Sequence, residues 1–396
     1  MKFKLYRQAH VPAGLVTGAG RPLRIKSEIE YSIHVMTDYK SSGVDAEKKE
    51  GSLSRLLEYV NRTFSLNACR PLLPIGYFAN VIDLRPLGFH VGIAFSTDGV
   101  GTKLLVAESM RRFDTVGIDC VAMNVNDLLC VGASPISMVD YIAVSEANAW
   151  LLEEVAKGLF AGCEQAGVNL CGGELAQVAE LLAKKPGTTS FDIVGTAIGT
   201  VNPEDILVGN DLEEGDLLIG LESSGLHSNG YTLARKVCFE IGRLSVDTYV
   251  PELRRTIGEE LLEPTRIYVK PVVQIMKEAA VKALFHITGD GLFNLIRTAR
   301  AVGYRLEYLP EPPAVFQLIQ KMGRISTEEM FRVFNMGIGF AVVVPDDSSQ
   351  LEIVTRIAES ARWKAHRLGY VTEDPERTIE VVPYRLRGRG GRFHAV

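Results

Sequence analysis

The sequence lacks the cysteine and histidine arrangements that build disulfide scaffolds and zinc sites. Its 396 residues contain six cysteines, and none of them forms a Cys-x-x-Cys pair or accompanies a paired-histidine spacing. Several lie inside apolar segments, as Cys120 and Cys130 do. This pattern indicates reduced cysteines that act as small core residues. Because thiols stay reduced in the cytoplasm, we expect the protein to work there.

Long apolar runs and an excess of positive charge are also missing. No stretch approaches the roughly 20 apolar residues that span a bilayer, so we expect no membrane partner. The formal net charge of −5 gives no electrostatic reason to expect nucleic acid as a partner. Neither a Walker A loop nor a G-x-G-x-x-G dinucleotide fingerprint occurs. With 46% apolar and 23% charged residues, the composition is that of an ordinary globular protein.

The length of 396 residues predicts two domains. Residues 1–36 form a basic N-terminal extension, and the first domain covers residues 37–205. The α/β pattern restarts after Asn202-Pro203, so the second domain covers residues 206–380. Residues 381–396 are rich in arginine and glycine, and we expect a mobile tail there.

Periodicity predicts an α/β fold in both domains. Expected helices cover 53–64, 115–130, 146–166 and 263–280, and further helices follow Tyr231 and the Gly-rich turn at 289–291. Expected strands cover 89–95, 136–144, 168–171, 191–201, 217–221 and 339–344. The strand at 168–171 is expected to stop at Gly172-Gly173.

The segment Ser96–Lys103 (STDGVGTK) directly follows a predicted strand. Gly99 and Gly101 allow backbone N–H groups to approach an anion, Asp98 can hold Mg²⁺, and Lys103 can neutralise phosphate. By itself the segment fits an ordinary Asp-Gly turn equally well.

Asn124 and Asp127 share one face of an otherwise apolar predicted helix. An acid in such a segment is either exposed at a capping edge or held near a cation, because an unpaired buried carboxylate is costly. The residues alone leave both interpretations open.

Asp127, Gly132, Ala133 and Pro135 form an Asp-x₄-Gly-Ala-x-Pro pattern that resembles the signature of the aminoimidazole ribonucleotide (AIR) synthetase superfamily. That superfamily includes thiamine-monophosphate kinase and selenophosphate synthetase. The chain is most similar to AIR synthetase, the phosphoribosylformylglycinamidine cyclo-ligase family. Collinear matching segments run along nearly the whole chain, at 38–45, 96–103, 117–127, 172–174, 223–231, 264–270, 286–292 and 334–339.

The resemblance implies a two-domain AIR-synthetase-like fold in which the N-terminal sheets of a homodimer form a shared barrel. It also implies ATP and Mg²⁺ as cofactors and a small-molecule nucleotide as substrate. Asp98 and Asp127 would bind the metal. The remaining nucleotide contacts would come from Lys40, Gly99, Gly101, Thr102, Lys103, Asp119 and Glu174.

His227 lies in a polar loop before a predicted helix, where free N–H groups bind anions readily. From the residues alone, a histidine that caps the turn is the preferred interpretation. The resemblance instead favours a catalytic role for His227, together with Lys103, and substrate contacts for Ser228, Asn229 and Gly230. Thr265 and Arg266 are left without an assigned role, and His286 carries little weight.

The resemblance implies that the chain closes the imidazole ring of AIR from formylglycinamidine ribonucleotide in purine biosynthesis, as a ligase. ATP would phosphorylate the formyl amide oxygen before the ring closes. The segment 175–180 departs from the family pattern. It therefore leaves two alternatives, a divergent paralogue that phosphorylates another small-molecule oxygen and a non-catalytic nucleotide-binding regulatory dimer.

Overall fold

Two β-sheets form the framework of the chain, and a computed structural model describes residues 38–40, 42, 56–182 and 190–396. The N-terminal extension, the start of the helix predicted at 53–64 and the end of the motif at 38–45 lie outside the described residues. The described residues belong to one compact unit, residues 36–396.

The first sheet has the strand order β1-β2-β5-β3-β4, in which β3 and β4 run parallel and the other neighbours antiparallel. Its strands are β1 (Asn80–Asp83), β2 (Gly92–Gly99), β3 (Ser134–Val144), β4 (Asn169–Gln177) and β5 (Phe191–Val201). The helices of this half are α1 (described over 56–63), α2 (Leu104–Met110), α3 (Asp114–Leu129) and α4 (Ala149–Ala166).

The second sheet has the order β15-β14-β13-β10-β12-β6-β11-β9, and β7 pairs with β8 as a separate hairpin. Its strands are β6 (Leu217–Glu222), β7 (Tyr249–Val250), β8 (Arg255–Thr256), β9 (Ala283–His286), β10 (Gly303–Leu306), β11 (Ile338–Val344), β12 (Ala365–Thr372), β13 (Ile379–Val381), β14 (Leu386–Arg389) and β15 (Arg392–Ala395). The helices are α5 (Tyr231–Arg235), α6 (Ile257–Leu261), α7 (Val269–Glu278), α8 (Ala314–Gly323), α9 (Thr327–Val333) and α10 (Ser348–Ser360).

Helix α3 is the central element of the first half, because it packs against both the sheet and α4. Two glycines let α3 and α4 approach closely. A Cβ at Gly117 would lie 2.3 Å from the backbone nitrogen of Leu159, and a Cβ at Gly158 would lie 1.9 Å from the carbonyl oxygen of Asp114. Most of α3 is therefore buried, including its polar residues Asp119, Asn124 and Asn126.

No helix among the described residues covers the opposite face of the first sheet. Strand β5 alternates between fully and partly buried residues, which is the pattern of a sheet with one packed face. On the neighbouring strands Phe95, Val139 and Tyr141 are 40–43% exposed. This uncovered face combines these apolar side chains with threonines such as Thr97 and Thr196.

Three predicted boundaries are wrong. The strand expected at 89–95 lies at Gly92–Gly99, so it includes the first half of the Ser96–Lys103 segment. Strand β4 does not stop at Gly172-Gly173 but continues to Gln177. A Cβ at Gly173 would lie 1.8 Å from Oδ1 of Asp140, so glycine allows the strands to approach here rather than ending one of them. The helix predicted from residue 263 begins at Val269, because the preceding residues are bound to α3.

Residues 381–396 are not the mobile tail that their composition predicts. They contain β14 and β15, an antiparallel hairpin at the edge of the second sheet. Gly390 and Gly391 both have positive φ at its tip, which is what a two-residue hairpin turn requires. Leu386 and Phe393 are buried, and the ring of Phe393 lies 4.5 Å from that of Phe293. The apolar side chains attach the tail to the domain.

Candidate active site

Lys103 and Asp119 form a fully buried ion pair where the two halves of the chain meet. The Lys103 Nζ lies 2.7 Å from Oδ2 of Asp119, and neither side chain is exposed. The same ammonium donates to the carbonyl oxygens of His227 at 3.0 Å and Glu263 at 2.7 Å. Burial lowers the pKa of Lys103, although the Asp119 carboxylate opposes the shift.

In this arrangement Lys103 faces protein groups, whereas the resemblance implies that it faces phosphate. Its ammonium group donates to two carbonyl oxygens and forms an ion pair with Asp119. Lys103 therefore connects the end of β2 to two loops of the second half.

Asp119 likewise serves the protein rather than a nucleotide. Its Oδ1 accepts hydrogen bonds from the backbone N–H and the hydroxyl of Thr265, both at 2.7 Å. With Lys103 at the other oxygen, the carboxylate has protein partners on both sides. The resemblance implies a nucleotide contact for Asp119, whereas here both of its oxygens contact protein groups.

Asn126 of α3 binds the residues that follow Thr265. Its Nδ2 donates to the carbonyl oxygen of Arg266 at 2.8 Å, and its Oδ1 accepts from the Tyr268 N–H at 2.9 Å. Residues 265–268 are thus bound to α3 at two points, which explains why α7 begins only at Val269.

His227 has a left-handed backbone, with φ of 61°, and its side chain is 1% exposed. Its Nε2 accepts from the Ser224 N–H at 3.2 Å, and its Nδ1 has no hydrogen-bond partner among the described residues. Burial lowers the pKa of His227 well below its usual range, and His286, Lys103 and Arg266 add to the shift. The imidazole is therefore neutral near pH 7. The side chain lies inside the loop and binds it through Ser224, whereas the resemblance implies that it faces the substrate.

The three residues after His227 precede helix α5, and Gly230 is its N-cap. The Ser228 hydroxyl lies 3.2 Å from that of Thr265, and the Asn229 side chain lies beside Gly289. Gly230 has φ of 73°, and a Cβ there would lie 2.3 Å from the Phe334 ring. Ser228 and Asn229 are partly exposed, so the loop offers these two residues to a ligand.

Asp98 and Asp127 lie at the same edge of the first half. The side chain of Asn124 donates to the Asp98 carbonyl oxygen at 3.1 Å, and Asn124 precedes Asp127 by one turn of α3. Oδ1 of Asp98 accepts from the Gly99 N–H at 2.8 Å. Both acids are partly exposed, as a metal ligand must be.

The turn after Asp98 has an accessible backbone. Gly101 has φ of 72° and is exposed, and a Cβ there would meet nothing within 4 Å. The next residue, Thr102, lies with its hydroxyl 3.2 Å from that of Thr232 at the start of α5. The turn therefore adjoins the loop that contains Ser228 and Asn229.

Lys40 and Glu174 lie on other parts of the chain. Lys40 is exposed next to Tyr39, whose N–H donates to Glu329 of α9 at 2.8 Å. Glu174 is exposed on β4. Asp98, Gly195, Asp140 and Gly173 are register partners across four strands, so Glu174 is about 14 Å from Asp98 at a strand spacing of roughly 4.8 Å. Within one chain Glu174 does not join the acids.

His286 belongs to the site although the sequence gives it little weight. Its Nδ1 lies 2.8 Å from Oδ1 of Asp127, and its ring is fully buried. The two residues are 159 positions apart, so no local pattern could have paired them.

The acids Asp98 and Asp127 fit magnesium bound together with phosphate. Among the described residues no cluster of three or more His, Cys, Asp and Glu could hold a metal ion. Magnesium is commonly held by one or two carboxylates, with phosphate and water as the other ligands. The Oδ1 of Asn124 next to these acids is buried and has no hydrogen-bond partner in the described part of the chain, which adds a further unused oxygen.

A cavity of about 390 Å³ lies elsewhere, at the C-terminal hairpin. It is lined by charged side chains such as Asp374, Arg387 and Arg389, and it contains none of the predicted site residues. No helix in the described part of the chain is both long and apolar enough to cross a membrane.

Two family models match the two halves of the chain. Residues 79–201 match the model described as AIR synthase related protein, N-terminal domain, and residues 213–382 match the corresponding C-terminal domain. The fold and these matches define a protein of the AIR synthase-related class.

Relatives of this chain with assigned names identify one family within this class. The phosphoribosylformylglycinamidine cyclo-ligase of Methanothermobacter thermautotrophicus is 44% identical over 340 residues, covering 85% of this chain and 95% of the relative. The enzyme of that name from Pyrococcus furiosus is 44% identical over 349 residues, covering 87% and 98%. The chain belongs to the phosphoribosylformylglycinamidine cyclo-ligase family, which confirms the resemblance found in its motifs.

Solved structures share the fold. A ThiL structure complexed with AMPPCP and TMP has a TM-score of 0.57 at 14% identity, covering 88% of this chain and 98% of that one. The HypE–HypF complex gives a TM-score of 0.56 at 20% identity, covering 86% and 98%. The mixed α/β, AIR-synthetase-like fold expected from the sequence is confirmed.

Proposed function

We propose that the chain is an ATP- and Mg²⁺-dependent ligase that converts formylglycinamidine ribonucleotide to AIR in purine biosynthesis. The proposal rests on the contact between an acidic edge of the first half and a polar loop of the second half, in a chain of this family. The acidic edge with Asp98 and Asp127 comes from the first half, and the Ser228–Gly230 loop comes from the second. Thr102 and Thr232 connect them.

The residues of the first half bind the nucleotide. Bound Mg²⁺ supplies positive charge next to the phosphates, and Asp98 and Asp127 would hold it. The backbone of Gly101 and Thr102 approaches phosphate, because Gly101 has no side chain to shield the N–H groups. The Gly99 N–H is bound to Oδ1 of Asp98, so Gly99 contributes to the turn by its small size. Lys40 lies next to Tyr39, which is bound to α9 of the second half, and it adds a positive charge for the phosphates. Glu174 is too far from Asp98 within one chain, so it reaches a nucleotide only if a second chain brings it near.

The second half orients the substrate. Ser228, Asn229 and Gly230 hold its phosphate or formyl group at the start of α5, as loops before helices do. Transfer of the γ-phosphoryl group to the formyl oxygen makes that oxygen a leaving group. The amidine nitrogen then attacks the formyl carbon, and the ring closes as phosphate leaves. Orientation and charge stabilisation account for most of the catalysis in such a scheme.

The active unit is a homodimer formed through the uncovered face of the first sheet. An apolar sheet face is stable when another layer covers it, and a second copy offers the same face. Closure of two such sheets into a barrel also removes exposed strand edges. The buried cysteines Cys120, Cys130, Cys163 and Cys238 are all free thiols, which supports work in the cytoplasm.

The test is product detection. The full chain is incubated with formylglycinamidine ribonucleotide, ATP and Mg²⁺, and AIR, ADP and phosphate are quantified. We expect the three products in equal amounts. ATP cleavage without AIR would favour a paralogue with another substrate, and binding of ATP without any turnover would favour a regulatory protein.

The matched variants are Asp127→Asn and Asp114→Asn on the same helix. Asn at position 127 still accepts the hydrogen bond from His286 but has no charge for the metal, so we expect a folded and inactive protein. Asp114 is exposed and pairs with Arg112, so its variant keeps its activity. An active Asp127→Asn variant would show that the acid is a structural residue.

A further inference from the structure

His286 and Asn126 surround Asp127 on its protein side. Asp127 is 16% exposed in its side chain, whereas His286 is completely buried behind it. His286 ends β9 in the second half and Asp127 lies in the last turn of α3 in the first. The imidazole therefore supports the carboxylate from the interior and leaves its outer side open.

The hydrogen bonds of Asn126 determine which nitrogen of His286 carries the proton. Oδ1 of Asn126 accepts from the Tyr268 N–H, and Nδ2 donates to the Arg266 carbonyl oxygen. The amide orientation is thus assigned by the network. Its Nδ2 side faces Nε2 of His286 at 3.5 Å, so Nε2 is the acceptor and Nδ1 carries the proton.

With its proton on Nδ1, His286 donates to Oδ1 of Asp127 over 2.8 Å. That bond occupies one carboxylate oxygen and fixes the plane of the group. The other oxygen, Oδ2, would then be the one that holds a cation. Partners of this kind, behind a metal ligand, orient it and raise the affinity of the site.

We propose that His286 is a positioning residue that orients Asp127 for one-oxygen binding of the nucleotide-associated Mg²⁺. The inference rests on the proposed function, which makes Asp127 a metal ligand. It also gives the second half a part in the nucleotide site, because the histidine comes from the opposite sheet. The hydrogen bond between His286 and Asp127 then connects the second half of the chain to the metal site.

The experiment measures metal binding rather than turnover. Mn²⁺ is titrated into the full chain in the presence of a non-hydrolysable ATP analogue, and free Mn²⁺ is followed by electron paramagnetic resonance. His286→Leu removes the donor and should weaken Mn²⁺ binding about 10- to 100-fold. His286→Asn should bind nearly as well as the wild type, because its amide nitrogen is attached to Cγ as Nδ1 is.

The control is His90→Asn, since His90 forms an exposed pair with Glu204 at 2.9 Å outside the site. It should bind Mn²⁺ as the wild type does. If His286→Leu fails to fold, His286→Gln replaces it, because its amide lies one bond further out and cannot reproduce Nδ1. Wild-type affinity in the Leu variant, or equal affinities in Asn and Gln, would overturn the inference. A wild-type chain that binds no Mn²⁺ with the analogue would instead refute the metal assignment in the proposed function.

Discussion

Lys103 and Asp119 carry opposite charges at positions without exposure to solvent, so each depends on the other. Removal of one partner leaves an uncompensated charge in the interior. Lys103→Met should therefore lower the free energy of unfolding by about 3–5 kcal/mol. The double variant with Asp119→Asn should lose less, because the remaining group is neutral and still accepts from Thr265. Denaturant unfolding of both variants measures the difference.

The same variants test where Lys103 acts. If Lys103→Met folds with wild-type stability but no longer binds an ATP analogue, Lys103 faces phosphate in the working enzyme, and the buried pair is not its main role.

His227 predicts a pH dependence of stability. Its pKa is lowered in the folded protein, so below about pH 6.5, the ordinary histidine pKa, the unfolded chain takes up a proton that the folded chain does not. Stability should fall as the pH decreases from 6.5, with at most about 1.4 kcal/mol per pH unit from this group. Asn adopts a positive φ readily, so His227→Asn should show a shallower fall over pH 6.5–5. The free energy of unfolding of both proteins is measured at several pH values, and an equal fall in the two proteins would contradict this prediction.

At the scale of elements, the C-terminal hairpin is an ordered part of the second sheet, although its composition predicts a mobile tail. Phe393 is 5% exposed and contacts the rings of Phe293 and Phe331. Phe393→Ala should therefore destabilise the protein by about 3–5 kcal/mol, as measured by thermal or denaturant unfolding. His394→Ala, at a neighbouring exposed position on the same strand, is the control and should change stability little. A tail that is mobile in solution would tolerate both substitutions equally.

Elements with a clear period and unambiguous ends were predictable. The helices at 115–130 and 146–166 and the strand at 191–201 correspond to α3, α4 and β5 within three residues. Prediction failed where glycine serves tertiary packing or a hairpin turn, as at Gly173 and Gly390. It failed also at 263–268, where side chains of α3 replace the hydrogen bonds of a helix. In each failure a distant contact overrides the local preference.

At the scale of the whole molecule, the uncovered face of the first sheet predicts association. Tyr141→Glu places a charge on this face and should produce a species of 43.5 kDa, the mass of one chain, with reduced activity. Tyr249→Glu is the control, because Tyr249 is exposed on the β7–β8 hairpin of the second half. Light scattering across a wide range of dilution measures both. A fully active single chain would refute the dimer as a requirement.

The sequence by itself determined the class of this protein. Its periodicities define the α/β halves, and its collinear motifs carry the cyclo-ligase resemblance, including the segments with Asp98, Asp127 and the 223–231 loop. Such motifs are readable because their chemistry depends on residues that are neighbours along the chain. The sequence did not determine which contacts the individual residues of these motifs make.

Only the tertiary structure shows which motif residues are buried between the two halves and which stay accessible. Lys103 is 124 residues from the carbonyl of His227, and Asp119 is 146 residues from Thr265. The sequence gives each of them a charge but not its partner. Burial between the two halves makes the partner obligatory, since an unpaired charge there is too costly. For that reason Lys103 and Asp119 bind the halves together, while Asp127, supported by His286, stays at the open edge.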